Sequence, residues 1–262
     1  MENREVERRL AFAKAIALKA GDFLLSHEEL SGKVEEKASN DFVTVADKKV
    51  EKLIYDEVRS NFPLDGWYGE ESGKSGDSLR RWVVDPIDGT VDYMCSFPNY
   101  TVSIAFEDED GYALGVVYVP RQKELFWAIR NGGAFLGDKP IHTIEENDYS
   151  RTLALLVPPH RRHHLMAEYM ERMVKFYSVF TDARSIGSAA CSLCYVASGR
   201  CASYYEMGLN PYDYAAGALI VREAGGKVRL KECGENGVEV VATSSNIYDK
   251  VLEIVDEESD SL

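Results

Sequence analysis

Trp82-Val83-Val84-Asp85-Pro86-Ile87-Asp88-Gly89-Thr90 is the most informative stretch of this 262-residue chain. An apolar run with the character of a buried strand ends at Asp85, and Pro86 holds that residue in extended backbone. The chain then turns through Ile87-Asp88-Gly89, so two carboxylates and the Ile87 carbonyl converge on one point. Gly89 permits close backbone approach, and Thr90 adds a hydroxyl and an amide at a helix start. Together these are hard oxygen ligands of the kind that hold Mg²⁺, beside donors suited to a phosphate. A surface turn is the plain alternative, because Asp-Gly is frequent in turns. The strand, proline and threonine around the acids favour the ligand site.

Three further acidic stretches are ambiguous when taken singly. Gly69-Glu70-Glu71-Ser72 follows the strand-like Trp67-Tyr68. In extended chain its two glutamates face opposite ways, one toward a site and one toward solvent. Thr44-x-x-Asp47, within Asp41-Phe42-Val43-Thr44-Val45-Ala46-Asp47, is a capping box for a second helix, which by itself accounts for Asp47. Asn210-Pro211-Tyr212-Asp213-Tyr214-Ala215-Ala216-Gly217 opens another helix, where an acid in the first turn suits the helix dipole whatever the function.

Around these stretches the periodicity is mixed. Val6, Leu10, Ala13, Ala17, Ala20 and Leu24 predict an amphipathic first helix, and Val50, Leu53, Ile54 and Val58 the buried face of the second. Strands are predicted at Arg81–Asp85, Tyr100–Phe106, Leu114–Val119 and Leu125–Ile129, with Asp110-Gly111 and Asn131-Gly132 as turns. Beyond them, helices are predicted at His163–Phe176, Ser188–Ser198 and Tyr212–Ala224, the last closed by Gly225-Gly226. Further strands are predicted at Leu153–Val157, Tyr177–Thr181, Ala202–Glu206, Lys227–Leu230 and Val238–Ala242. Asn246 is expected to cap a final helix burying Ile247, Val251 and Ile254. An α+β protein of layered sheets covered by helices follows. No linker or repeat divides it, so residues 1–262 read as a single domain, with subdomains at about 1–150 and 151–262.

Composition narrows the class. Hydrophobic residues make up 45 % and charged residues 28 %, which excludes disorder as the main state. With 30 Lys+Arg against 44 Asp+Glu the net charge is −14, and such a surface argues against nucleic acid as a partner. Part of that excess is the tail Asp256, Glu257, Glu258 and Asp260, expected to be a frayed, solvated helix end. Five cysteines is an odd number in a chain large enough to fold without disulfides. The opening MENREVERRL has no apolar segment of a secretory signal, and no run approaches the roughly 18 apolar residues of a membrane span. A cytoplasmic protein with no membrane partner is the expectation.

Taken together, the four acidic stretches, in this order, resemble the signatures of the inositol monophosphatase family. Gly133-Ala134-Phe135, Arg184-Ser185-Ile186-Gly187-Ser188-Ala189-Ala190 and Glu206-Met207-Gly208 extend the resemblance from about Lys37 to Asn246. It implies an α/β/α/β/α layered sandwich of the inositol monophosphatase / fructose-1,6-bisphosphatase type, usually a homodimer. The implied activity is Mg²⁺-dependent, lithium-sensitive hydrolysis of a phosphate monoester. Carried over by motif, Glu70, Asp85 and the Ile87 carbonyl would hold one Mg²⁺. Asp85, Asp88 and Asp213 would hold a second, with a weaker third near Glu70. Thr90 and Asp47 would help activate the attacking water, and Gly89 and Thr90 amides would receive phosphate. Gly187, Ser188, Ala189 and Glu206, with Asp88 and Asp213, would line the pocket for the alcohol.

Charge arithmetic points the same way. Glu70, Asp85, Asp88 and Asp213 bring four negative charges to one cavity, and a substrate phosphate adds about −2. Without cations such a cluster repels its own substrate and raises its own carboxyl pKa values. Paired divalent ions about 3.5–4 Å apart offset those charges and support direct in-line attack by water, with no phosphoenzyme. Two departures from the family pattern bear on pocket shape: Tyr212 stands where Trp is usual, and Asp92 where Asn is usual, followed by an atypical Tyr93-Met94-Cys95-Ser96.

Other features read as structural. Cys191-x-x-Cys194 lies in an apolar helical pattern and reads as core packing. His160, Arg161, Arg162, His163 and His164 read as a solvated helix start. Asn99-Tyr100-Thr101 has the form of a glycosylation acceptor but is expected to stay unmodified. Asp85-Pro86-Ile87-Asp88 has one residue too many for a D-x-D-x-T aspartyl-phosphate phosphatase. Within the resembling family fructose 1,6-bisphosphate, adenosine 3′,5′-bisphosphate or NADP could replace inositol monophosphate. A non-catalytic partner-binding protein would be expected to have lost ligands, and here the four acids and Thr90 are all present.

Overall fold

The computed structural model describes residues 3–38, 41–145 and 151–256. Helix α1 (Asn3–Ser26) buries Val6, Leu10, Ala13, Ala17, Ala20 and Leu24 along one face, as their spacing predicts. A short antiparallel pair, β1 (Val34–Ala38) and β2 (Asp41–Thr44), leads into helix α2 (Val45–Asn61). Thr44 caps that helix through the capping box with Asp47, and Val50, Ile54 and Val58 are buried while Leu53 is half-buried.

Both helices cover one face of an eight-stranded sheet. Its strands are β3 (Gly66–Gly69), β4 (Gly73–Ser75), β5 (Arg81–Asp88), β6 (Thr101–Asp108), β7 (Gly111–Val119), β8 (Glu124–Ile129), β9 (Ala134–Leu136) and β10 (Lys139–Ile141). They lie in the order β10-β9-β8-β7-β6-β5-β3-β4, antiparallel except for β3 beside β5. Helix α3 (Thr90–Met94) links β5 to β6. Alternation along the central strands serves two cores. Val102, Ile104 and Phe106 of β6 meet α1 and α2, whereas Ala105 faces the opposite side with Val117 and Val119 of β7.

A second sheet of β11 (Leu153–Val157), β12 (Asp182–Arg184), β13 (Ser203–Leu209), β14 (Lys227–Glu232) and β15 (Val238–Thr243) runs β12-β11-β13-β15-β14. Helices α4 (Met166–Val179), α5 (Ala189–Ala197), α6 (Pro211–Glu223) and α7 (Tyr248–Asp256) complete the chain. The α5–α6 pair fills the space between the sheets, and α4 with α7 covers the far face of the second. The layers are therefore α/β/α/β/α, each sheet buried on both faces, which explains the long apolar strand runs. Among the described residues no helix is long and apolar enough to cross a membrane.

Four local expectations are corrected. Tyr177–Thr181 is not a strand: α4 runs to Val179, and the strand begins at Asp182. Phe176 and Phe180 are buried with rings stacked at 5.8 Å, a packing that overrides the β-propensity of the aromatic residues. His163–Leu165 is a single 3₁₀ turn, and the α-helix starts only at Met166. Asn246 lies inside the 3₁₀ turn Ser245–Ile247, whose N-cap position is Ser244, and α7 begins only at Tyr248. Asp256 is exposed as expected but not frayed, for it accepts two bonds from the Arg229 guanidinium at 2.6 and 2.7 Å. Glu257, Glu258 and Asp260 lie outside the described residues. Cys191 and Cys194 are buried thiols packed in α5.

Candidate active site

Residues three apart in a regular strand point to opposite faces, so β5 alone would separate Asp85 from Asp88. Its pairing with β6 shifts between Asp85↔Ser103 and Asp88↔Thr101, and the irregularity puts an extra residue on β5. Both carboxylates thereby reach the same side. Asp213 joins them from the first turn of α6, where it accepts the Asn210 amide at 2.6 Å in a second capping box. One oxygen from each of Asp85, Asp88 and Asp213 lies within 4.8 Å of the others, and all three residues are buried. Each acid thus has a local structural task and a shared one.

Asp88 is the most tightly held. Its Oδ2 accepts the Ser188 hydroxyl and, at 2.7 Å, the Ala190 amide, while Oδ1 accepts the Ala189 amide at 3.2 Å. Ser188 also caps α5. The Ile87 amide donates to Asp85 Oδ1 at 3.0 Å, and the Ile87 carbonyl accepts the Thr90 hydroxyl at 3.2 Å. Gly89 adopts φ of +90° at the head of α3, where an added Cβ would crowd Gly187, Ser188 and Tyr100.

A second acidic group adjoins the first: Asp47, Glu70 and Glu71 also bring oxygens within 4.8 Å of one another. The expectation that one glutamate turns to solvent is corrected, because residues 70 and 71 lie in a turn after β3 and not in extended chain. Buried Glu51 of α2 shapes that turn by accepting the Glu71 and Ser72 amides at 2.7 and 2.8 Å. Asp47 makes both contacts at once, capping α2 through the Thr44 amide at 2.7 Å and accepting the Thr90 hydroxyl at 3.2 Å.

Beside the acids is a cavity of about 410 Å³. Asp88, Gly89, Thr90, Gly187, Ala189, Glu206 and Asp213 line it, whereas Ser188 is wholly buried beneath Asp88. Asp92 also lines it, its carboxylate packed so closely on Gly187 that a Cβ there would meet it at 2.5 Å. The opposite wall is the loop carrying His160, Arg161 and Arg162, and Arg161 Nη2 lies 3.4 Å from Glu70 Oε1. The reading of that loop as a solvated helix start is corrected for Arg161. Nothing local in the sequence marks it, since only the packing of the loop on β13 aims it inward. Arg161, Glu51 and Glu71 are the residues at this site that local pattern alone did not reveal.

Electrostatics show a cluster under repulsion. Burial raises Asp85 well above the ordinary carboxylate range, and Glu70, Asp88 and Asp213 push it further while Arg161 opposes them. Burial also raises Asp88, against the Ser188, Ala190, Ala189 and Arg161 contributions. Glu206 is raised well above its usual value by burial and then by Asp213 and Asp88, although Tyr204 donates to it at 2.6 Å. Asp47 is raised by burial despite its hydrogen bonds. Asp92 is pushed up to about 7 by burial and Asp88. Two adjoining groups of oxygen-only donors with no thiolate or imidazole favour hard divalent cations such as Mg²⁺ over Zn²⁺.

Comparison with known proteins bears on the whole chain. Residues 5–259 match the inositol monophosphatase family. Nus factor SuhB of Salmonella typhimurium is 36 % identical over 261 residues, covering 97 % of this chain and 98 % of that protein. The solved extragenic suppressor protein SuhB of Bartonella henselae superposes with a TM-score of 0.90 at 32 % identity, covering 95 % of this chain and 99 % of that one. The inositol monophosphatase of Anabaena superposes at 0.82 with 30 % identity, covering 96 % of both chains.

Proposed function

The chain belongs to the inositol monophosphatase family, and from that premise we propose that it is a Mg²⁺-dependent phosphomonoesterase whose substrate is an inositol monophosphate, cleaved to inositol and phosphate. The observation that carries this reading is the convergence of Asp85, Asp88 and Asp213 and the nearby Asp47–Thr90 pair, with Asp88, Thr90 and Asp213 lining one cavity. Glu70, Asp85 and the Ile87 carbonyl would hold one ion, and Asp85, Asp88 and Asp213 another, with Asp47, Glu70 and Glu71 grouped for a third. Bound Mg²⁺ supplies charge neutralisation, polarisation of phosphoryl oxygens and a lowered pKa for water.

The chain's own groups do the positioning. Thr90, anchored between Asp47 and the Ile87 carbonyl, can pass a hydroxyl proton toward Asp47 as it accepts one from water. Burial raises the pKa of Asp47, which makes its carboxylate a better proton acceptor for Thr90. Gly89 and Thr90 present backbone at a helix start to the phosphate, and Glu206 with Asp88 and Asp213 presents acceptors to hydroxyls of the alcohol. Direct attack by water, with no phosphoenzyme, follows from this assignment.

Fructose 1,6-bisphosphate, adenosine 3′,5′-bisphosphate and NADP are the competing substrates for the same site. We place the protein in the cytoplasm as a homodimer without a nucleic-acid or membrane partner, and its unpaired thiols suit a reducing compartment. The name Nus factor given to the SuhB relatives favours a second reading, in which the chain acts by binding a macromolecular partner. Phosphate release measured across the four substrates with and without Mg²⁺ separates the readings. Mg²⁺-dependent release, fastest from inositol monophosphate, is expected. Release from none of them would leave the partner-binding reading.

A further inference from the structure

Arg161 is aimed by a loop that is itself fixed. Pro158 and Pro159 restrict its backbone, and the His160 and Arg162 amides donate to the Pro158 and Pro159 carbonyls at 2.7 and 2.9 Å. Arg162 donates to the Glu235 carbonyl and lies over Gly208, where a Cβ would come within 2.8 Å of its Cδ. These contacts hold the residues on both sides of Arg161 and leave its side-chain torsions to set where the guanidinium lies. Its side chain is 29 % exposed and reaches into the acid cluster, 3.4 Å from a Glu70 carboxylate that is 4 % exposed. Arg161 lines the same cavity as Gly89 and Thr90.

A guanidinium on Glu70 Oε1 and a divalent cation on the same carboxylate repel each other at close range, so each weakens the hold of the other on Glu70. The guanidinium is permanently charged and presents a fork of donors matched to phosphate oxygens. We propose that Arg161 exchanges partners during the working cycle: it pairs with Glu70 in the metal-free protein, and where Glu70 would hold a divalent ion the guanidinium turns to the substrate phosphate in the adjoining cavity. This rests on the phosphatase reading. It makes Arg161 a competitor of the metal and an aid to the substrate, two effects of opposite sign.

Calorimetry of Mg²⁺ binding to metal-stripped, substrate-free protein tests the first half, and KM for inositol monophosphate at saturating Mg²⁺ tests the second. Arg161→Met is expected to bind Mg²⁺ about three- to tenfold more tightly and to raise KM about tenfold. Arg161→Lys, which keeps the charge, is expected to hold Mg²⁺ affinity close to the unsubstituted value. Unchanged Mg²⁺ affinity in Arg161→Met would overturn the exchange, and so would weaker binding of both metal and substrate, the result of a structural prop. Tighter metal with unchanged KM would remove the substrate half. No Mg²⁺ uptake by the unsubstituted protein would overturn this inference and the phosphatase reading together.

Discussion

Thr90 Oγ1 lies 3.2 Å from Asp47 Oδ1, joining the first turns of two helices 43 positions apart in sequence. The same Asp47 holds Thr44 through its other oxygen, so the cap of α2 and the candidate proton relay share one carboxylate. Asp47→Asn can keep one of these roles but not both, because an amide presents a single acceptor. The cap has the stronger claim, through two bonds on Oδ2, which leaves the amide nitrogen facing Thr90. We expect kcat to fall about 100-fold with Mg²⁺ affinity nearly unchanged and stability within about 1 kcal/mol. Steady-state kinetics beside thermal melts checks this; a melting-point loss with normal kcat would assign Asp47 to capping alone.

Asp213 gives the cleanest removal of one cluster charge. Asn at 213 can still accept the Asn210 amide through its carbonyl, whereas Asn at 88 would set an amide group against the three donors from residues 188–190. Asp213 is among the groups that raise Asp85 and Glu206, so its charge opposes folding when no cation is bound. Asp213→Asn is therefore expected to abolish turnover yet raise the metal-free melting temperature at pH 8 by about 2–4 °C, equivalent to about 1 kcal/mol. Melts in chelator decide the point, and a lowered melting temperature would contradict it.

Asp92 provides the pH dependence. Its carboxyl is pushed up to about 7 by burial and by Asp88, so the folded state binds its proton more tightly than the unfolded state does. The stability this gives is present below pH ~4 and is lost as pH rises toward about 7. Asp92→Asn removes that loss. The variant should therefore gain stability over the unsubstituted protein at pH 8 and show much less gain at pH 4.5, measured by denaturant unfolding without metal. An equal gain at both values would rule out titration of Asp92 as the cause.

Glu51 is expected to act on metal binding from a distance. It accepts both amides that shape the turn carrying Glu70 and Glu71. In Glu51→Gln one of these amides faces an NH₂ group, a buried mismatch of about 1–3 kcal/mol. We expect weaker Mg²⁺ binding with a largely preserved kcat at saturating Mg²⁺. A kcat that stays low at any Mg²⁺ concentration would show that Glu51 does more than set the turn.

What the sequence made legible depended on whether a residue's local pattern carried its function. Asp85, Asp88 and Asp213 sit at a strand end and a helix start, places that sequence marks through proline, glycine and capping residues. The α1 face was readable because burial follows the helical period, and the doubly buried strands β5 to β7 because burial on both faces gives continuous apolar runs. Phe176 and Phe180 misled, since their stacking in the outer core is a tertiary fact that decides helix over strand. Arg161 looked like any loop arginine, because its approach to Glu70 spans 91 positions and is fixed only by packing of the Pro158–Arg162 loop. Glu71 was misjudged by assuming extended chain where Glu51 forms a turn.

The central claim is that the carboxylates from β5, α6 and the turn after β3 form one centre for divalent ions. Anomalous diffraction from crystals soaked in Mn²⁺ and inorganic phosphate tests it most directly. The account predicts at least two peaks about 3.5–4 Å apart, with Asp85 touching both. A map with no peak among Asp85, Asp88 and Asp213 would contradict it.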